Sequence, residues 1–433
     1  MAPDKKPLRA VIVGGSIAGL MCGVGLKQAG HHVQIIEQGA DERKSYVSGL
    51  GLGPISEDFL QQHDRLTTTF TYEANGLKVL RPNGRVKLLV NGKRLLTSWD
   101  ALYYRLRSNF DQYPSSYYPA GPHPQENDGQ VIYSARTKVL KFSRGDTDDD
   151  GFVLDTLNCD TGEMYHLEAD IIIGADGPDS IVRTKYLPTT QRRYVGYIAW
   201  RGLIPECEIS PSALEVLGQG AVVCPMTRQH CIMFLIPGAD GSMEPGKRVV
   251  NFTWYTNKSL EELDKILVDS LDGHRHHNIV PPGHVRADIW SAQVNYAKNQ
   301  AFPISFFEVL SKIQQPFIQV ITEFCSPRAV FEEGKVMIIG DALALFRPHT
   351  ALGSNQAAFH TLSTIDYING KIQASEWEHG VLRYSSLYWR KSAWWGTYYQ
   401  AHLGQVLLAG LSYWVYYGID RVKLWFSGKA QHI

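Results

Sequence analysis

Long apolar runs are missing from this 433-residue chain. No stretch approaches the roughly 20 apolar residues of a membrane span. The nearest, residues 406–417, is short and broken by Gly410 and Ser412. The N-terminus, MAPDKKPLRA, carries neither the apolar stretch nor the cleavage site of a signal peptide, so a cytoplasmic protein is expected. An excess of one charge is also lacking. Lys plus Arg equals Asp plus Glu at 43 each, which gives no support for a nucleic-acid partner. Only six cysteines occur, none in a Cys-x-x-Cys pair and none beside a histidine at zinc-like spacing. Reduced buried thiols are expected, and no metal. No internal repeat is present either.

What is there is an alternation of strand-like and helix-like runs, which implies an α/β architecture. Residues 10–13 and 33–36 read as buried parallel strands, with a helix over about 16–29. VIYSARTKVLKF, GFVLDTLN and YHLEADIIIG follow within 131–174, separated by the turn-rich RGDTDDDG and CDTGE, and read together as a β-meander. YPSSYYPAGPHPQENDG (113–129) reads as a surface loop. Residues 191–300, with about 81–97, carry more strand runs and a helix over 259–272, and read as an inserted mainly-β module for substrate. Around that insert, 1–80, 98–190 and 301–370 are expected to build one cofactor domain, and 371–433 to be helical.

The first α/β segment reads VIVGGSIAGL, then VQIIE. Gly14 suits a tight strand-to-helix turn, and Gly19 lets the helix pack close to the strand. Ser16 stands where a middle glycine lets backbone approach a pyrophosphate, and Gly15 and Ala18 complete the turn. The helix N-terminus then offers unpaired N–H groups to phosphates. Glu37, 23 residues after Gly14 and followed by Gln38, can accept hydrogen bonds from a ribose 2′-OH. Strand, glycines, helix, second strand and acid in register indicate a dinucleotide without separating FAD from NAD.

Two later segments choose FAD. IIIGADGPDSIVR (171–183) and VMIIGDALALFRPHTALGSNQA (336–357) each run an apolar strand into an aspartate, Asp176-Gly177 and Asp341, at the strand end where α/β sheets bind ligands. Asp341 can hold ribityl or ribose hydroxyls. A helix starting near Gly353, after Pro348 and with Ser354 and Asn355, can direct N–H groups at the flavin's pyrimidine edge. These three segments, spanning about 1–360, resemble the single-component FAD-dependent aromatic hydroxylases related to para-hydroxybenzoate and salicylate hydroxylase. The resemblance implies a Rossmann-like FAD domain with an inserted β-sheet substrate domain. In the family the third segment reads GDAAH, then P-x-x-G-x-G-x-N. Here Ala344 replaces the usual His, Ala351 the first glycine, and His360 a usual Asp. Gly49-Leu50-Gly51-Leu52 is similar to the family's GAGI stretch near the flavin. Trp99 stands where an FAD-contacting Arg is usual, which leaves Arg105 or Arg43 for that role. Val139 joins the cofactor set by the same resemblance, and Arg183 is expected at the cofactor or nicotinamide. YVGYIAWRGLIPE, WDALYYRLR and FRPHTALG look closest to the 2,6-dihydroxypyridine hydroxylase branch, a look that fungal-type secondary-metabolism enzymes share.

No second Rossmann fingerprint is present for NAD(P)H. The resemblance implies that NADPH or NADH binds transiently and reduces FAD. O2 then adds at the flavin C4a to give a hydroperoxide, whose distal oxygen goes to an electron-rich aromatic or heteroaromatic ring. Water must be excluded and the ring oriented and deprotonated. Tyr197, Trp200, Phe234, Phe252 and Trp254 are candidates to line the substrate pocket or simply to fill the sheet core. His349 is a candidate to move a proton or bind substrate, against a loop His that bonds backbone. Arg201 can pair with a substrate oxyanion, against a solvated strand Arg. The same motifs serve epoxidases and Baeyer–Villiger enzymes, and a non-oxygenating flavin protein is a further reading. A flavin halogenase is disfavoured, since no Trp-x-Trp-x-Ile-Pro segment occurs. The aromatic C-terminal run is expected to cover the FAD domain or form a homodimer surface rather than lie on a membrane.

Overall fold

A computed structural model describes residues 6–43, 48–81, 84–145, 151–218, 220–300 and 302–426. The chain opens with β1 (Arg9–Val13), α1 (Ile17–Gln28), β2 (His32–Ile36), β3 (Gly49–Leu52), α2 (Pro54–His63), β4 (Tyr72–Leu80), β5 (Val86–Ser98), α3 (Trp99–Asp111) and β6 (Val131–Ser134). Next come β7 (Thr137–Arg144), β8 (Phe152–Asn158), β9 (Met164–Ala169), β10 (Ile171–Gly174), α4 (Ile181–Tyr186), β11 (Arg193–Pro205), α5 (Pro211–Leu217), β12 (Ala221–Met226), β13 (Gln229–Ile236) and β14 (Val249–Asn257). The remainder is α6 (Leu260–Ile266), β15 (Ile279–Val280), α7 (Ala287–Lys298), α8 (Ile304–Lys312), β16 (Phe317–Cys325), β17 (Val330–Phe331), β18 (Val336–Ile338), β19 (Ala344–Leu345), α9 (Gly353–Ile368), α10 (Ala374–Gln400) and α11 (Leu403–Phe426).

The first sheet runs β17-β18-β10-β1-β2-β6, parallel except for β17. Its central strands β1, β10 and β18 are continuous buried apolar runs because both faces are covered there. α1 lies on it with nine buried positions and packs against α3 and α9. The second sheet runs β15-β16-β11-β14-β13-β12-β4-β5-β3, with β19 added on β16. Its strands alternate. Ile198, Trp200, Cys231, Met233, Phe252 and Trp254 fill one core with α5 to α8, while the residues between them face the other way. A three-stranded sheet, β7-β8-β9, sits beside the first.

Four expectations are corrected. The run 131–174 is not one meander: β6 and β10 pair in parallel with β2 and β1, and only β7–β9 form the antiparallel ladder. Its RGDTDDDG turn lies partly outside the described residues. β4 and β16, placed with the cofactor domain by the expected boundaries, pair instead within the second sheet. The helix expected over 259–272 is the shorter α6, held by a Ser259–Glu262 capping box and followed by a doubled-back loop. The C-terminal run does not cover the first sheet directly. α10 packs instead on α9 and against β13, β14 and β16, and α11 lies outside α10 through the Arg383–Asp420 ion pair and the stacked Trp394 and Tyr413 rings. Leu403, Leu407, Leu408, Leu411, Trp414 and Trp425 point away from the protein. Among the described residues, no helix is long and apolar enough to cross a membrane.

Candidate cofactor and substrate site

The three sequence segments meet at the carboxyl ends of β1, β10 and β18. Gly14 adopts φ 102°, and a Cβ on it would run into the Ala175 carbonyl beside Asp176. Gly340 (φ 58°) would place a Cβ 2.6 Å from that of Ala18. The fingerprint turn therefore touches both aspartate turns. The Glu37 carboxylate ends β2 and accepts from Gly15 N (2.8 Å) and Gly39 N (2.7 Å), and it pairs with Arg43 at 2.5 Å. Arg43 lies 5.7 Å from the Trp99 ring centroid and 5.5 Å from that of Tyr103. Tyr133 bonds the Gly15 carbonyl at 3.1 Å and was not anticipated from sequence. Gln38 is exposed next to Glu37, whereas Val139 is buried in β7.

Several groups here lack partners that the chain itself could have supplied. α1 begins at Ser16 with no side-chain cap and no acid in its first turn, and α9 begins at Gly353 equally bare. Bare helix starts leave N–H groups for an anion or a polar ring edge. Asp176 Oδ2 accepts from Ile181 N at 2.7 Å, but its buried Oδ1 has no partner. Burial pushes the Asp176 carboxyl up, against the Ser180 hydroxyl and the N–H groups that pull it down. Asp341 is accessible to solvent yet closely surrounded by protein, and that desolvation pushes its carboxyl up to about 6. An extended dinucleotide with phosphates, hydroxyls and a polar ring fits this donor and acceptor set.

Other expected contacts have different partners. Arg105 is buried, paired with Asp64, and donates to the Leu66 (2.5 Å) and Thr68 (2.7 Å) carbonyls. Arg183 donates to the carbonyls of Ala342 (2.8 Å), Thr190 (3.1 Å) and Pro178 (2.5 Å). It clamps the two aspartate turns together. Both guanidiniums, expected at the cofactor, are held here by main-chain carbonyls. The Asn355 side chain likewise caps α2, accepting from Ile55 N (2.9 Å) and Ser56 N (3.2 Å) and donating to Tyr384 (2.8 Å). Ser354 Oγ donates to the Gly51 carbonyl at 2.9 Å, which brings β3 against the start of α9. His360 takes up the Gly340 N–H at 2.9 Å and is buried and neutral, pushed down to about 3 by that burial. Gly177 follows Asp176 at φ 74°, and Pro348 is exposed.

The second sheet faces this region with its other side. Tyr197, Ala199 and Arg201 share a face of β11, the alternate set to Trp200. Of the proposed pocket aromatics, Tyr197 and Phe234 lie on this face. Trp200, Phe252 and Trp254 lie in the opposite core and take the sheet-core alternative. A Cβ on Gly49 would come 2.5 Å from the Phe234 ring, so the β3 edge of this sheet curls back against β13. Tyr197 bonds His349 Nε2 at 2.7 Å, and His349 Nδ1 has no partner. His230 and Tyr255, cross-strand neighbours missed from sequence, stack at 4.6 Å. Tyr399 of α10 stacks on His230 at 4.1 Å, and His349 lies 4.7 Å from Tyr255.

Burial and the neighbouring Arg347 push His349 down to about 3, and burial pushes Tyr197 far up, so both are neutral near pH 7. Arg347 fixes the loop of His349 through the fully buried Glu323, at 2.7 and 3.0 Å, and through Thr397 of α10 at 3.2 Å. Arg201 is not a solvated strand arginine. It donates to Gln319 at 2.9 Å, its Nε has no partner, and its cationic form is disfavoured by burial and favoured by Tyr255.

A family described as FAD binding domain-like matches residues 194–323, which form β11 to β16 rather than the βαβ unit. A 2,6-dihydroxypyridine 3-monooxygenase of Paenarthrobacter nicotinovorans is 24% identical over 393 residues, 88% of this chain and 89% of that one. The solved 2,6-dihydroxypyridine-3-hydroxylase of Arthrobacter nicotinovorans superposes with a TM-score of 0.77 at 22% identity, covering 91% of this chain and 93% of that one. Klebsiella pneumoniae HpxO, solved with FAD and uric acid, superposes with a TM-score of 0.66 at 16% identity, covering 98% and 96%.

Proposed function

We propose that this chain, an FAD-dependent monooxygenase similar to the aromatic hydroxylases, inserts one oxygen atom of O2 into an electron-rich aromatic or heteroaromatic ring. The observation that carries the substrate reading is the hydrogen-bonded Tyr197–His349 pair set against the His230, Tyr255 and Tyr399 rings. Bound FAD supplies the redox and oxygen-activating chemistry, with NADPH or NADH as transient donor.

Gly14 to Gly19 and the bare start of α1 hold the diphosphate. Asp341 accepts from hydroxyls, and the start of α9 with Gly51 faces the flavin ring. Glu37 with Gln38, beside Arg43, serves the ribose end. The aromatic face orients a flat ring and keeps water from it.

Losing a proton from a ring hydroxyl raises the ring's electron density and its reactivity toward an electrophilic oxygen. His349 Nδ1 is free to accept that proton, but the site disfavours an imidazolium. His349 therefore takes a hydrogen bond from the ring hydroxyl at Nδ1 rather than its proton, while Nε2–H donates to the Tyr197 hydroxyl and holds that tautomer, and the polarised O–H bond raises the ring's electron density. Arg201 stabilises the resulting partial negative charge electrostatically across Tyr255.

The direct check is Tyr197→Phe. FAD content should stay full. Substrate-stimulated NAD(P)H oxidation coupled to product should fall about 100-fold, the lower range of general-acid–base contributions, with more H2O2 released per NAD(P)H. Unchanged coupling and rate would remove Tyr197 and His349 from the chemistry.

A further inference from the structure

Three histidines and an aspartate converge where the loop between α6 and β15 meets the segment just after β15. There the chain doubles back: Val268 and Arg275 form an antiparallel bridge, Asp269 N donates to the His274 carbonyl at 2.9 Å, and His276 N donates to the Leu267 carbonyl at 2.9 Å. In an extended segment, residues two apart share a face, so His274 and His276 present their rings on one side. Those rings lie 4.1 Å apart. Asp269 Oδ2 is 2.7 Å from His276 Nε2, 2.7 Å from His284 Nδ1 and 3.9 Å from His274 Nδ1. Its Oδ1 accepts from Leu271 N at 2.7 Å. The carboxylate is only 1% exposed, whereas the His274 side chain is 53% exposed.

We propose that Asp269, His274 and His276 bind a zinc ion, with His284 orienting the carboxylate. Their ligand atoms all lie within 4.8 Å of one another. Imidazole nitrogen with carboxylate oxygen is a donor set that zinc accepts, at bond lengths of about 2.0–2.2 Å. Donors on a tetrahedral ion of that size stand about 3.3 Å apart. The 2.7 and 3.9 Å separations bracket that value, so a small rotation of each ring suffices. The exposed side of His274 leaves the fourth position to water. His284 donates its ring N–H to the bound carboxylate, the usual second partner of a metal-binding group. The cluster contains no cysteine, so no cysteine spacing in the sequence marks it.

The ion closes the hairpin of 267–276 on itself, and His284 links it to the chain leaving β15, which pairs with β16 at Val280–Ile318. The test uses the full chain without a histidine tag, stripped by chelator and titrated with zinc chloride against a chromophoric competitor. One equivalent should bind, and the unfolding midpoint should rise with it. His276→Ala and His274→Ala should each weaken binding at least about tenfold, the loss that even an outer-shell partner brings. FAD content is the control for folding. His274 is the safer variant, because its side chain is half exposed and bonds closely only to the exposed Asp272. Absence of stoichiometric zinc binding, or equal binding by both histidine variants with FAD retained, would overturn the proposal and leave a hydrogen-bonded loop.

Discussion

At the scale of single residues, the cofactor turns are governed by what each side chain lacks. Asp341 has its carboxyl raised to about 6 by desolvation, above its ordinary 3.8. Hydroxyl donors favour the ionised form, so FAD binding lowers that value and releases a proton. The sign follows: FAD affinity should rise with pH up to about 6 and level off above. Asp341→Asn should flatten this rise and weaken FAD about 10- to 100-fold, the loss of one or two charged hydrogen bonds, as read by flavin fluorescence titration at several pH values. Ala351 presents a second case. It occupies the left-handed region at φ 51°, at the position where the resembling family has glycine. A side chain there costs about 1–2 kcal/mol, partly offset by the smaller unfolded-state freedom of Ala. Ala351→Gly should therefore stabilise the protein by roughly 0.5–1 kcal/mol, seen as a higher unfolding midpoint.

At the scale of elements, α10 is what closes the substrate side. It carries Ser392, Gly396, Thr397 and Tyr399 against the loop of Arg347 and His349. Gly396 allows that approach: a Cβ would stand 2.6 Å from the Tyr197 hydroxyl, 2.8 Å from Arg347 Cδ and 2.9 Å from His349 Cδ2. Gly396→Ala should cost about 1–3 kcal/mol by overpacking. It should lower product formation more than FAD binding, as read by comparing kcat with flavin content. The strands around this site were half legible in the sequence. Alternation sorts β11 into Tyr197, Ala199, Arg201 and the opposite set with Trp200, but which set faces the cleft depends on α7 and α8 covering the other side. His230 and Tyr255 follow once β13–β14 register is known, and register is a tertiary property.

At the scale of the whole molecule, two sheets are joined so that a dinucleotide strand-end site meets an aromatic sheet face. The βαβ unit and both aspartate turns were legible because their signals are local, a strand running directly into glycine and acid. Pairing was not: β6 and β10 look like parts of a meander, and only the distant β2 and β1 reveal them as parallel strands. The carbonyl partners of Arg105 and Arg183 were not legible for the same reason, since they lie in other turns. The joining of the sheets, which neither carries alone, is what makes oxygen transfer to a ring the central reading. The most direct measurement supplies isotopically labelled O2 and NAD(P)H to the FAD-loaded chain with a panel of phenols, pyridinols and ketones. Oxidation of NAD(P)H stimulated by a hydroxylated ring compound, with one labelled oxygen atom in its product, is the result expected. Stimulation by ketones alone, or none by any compound while FAD remains bound, would contradict the account.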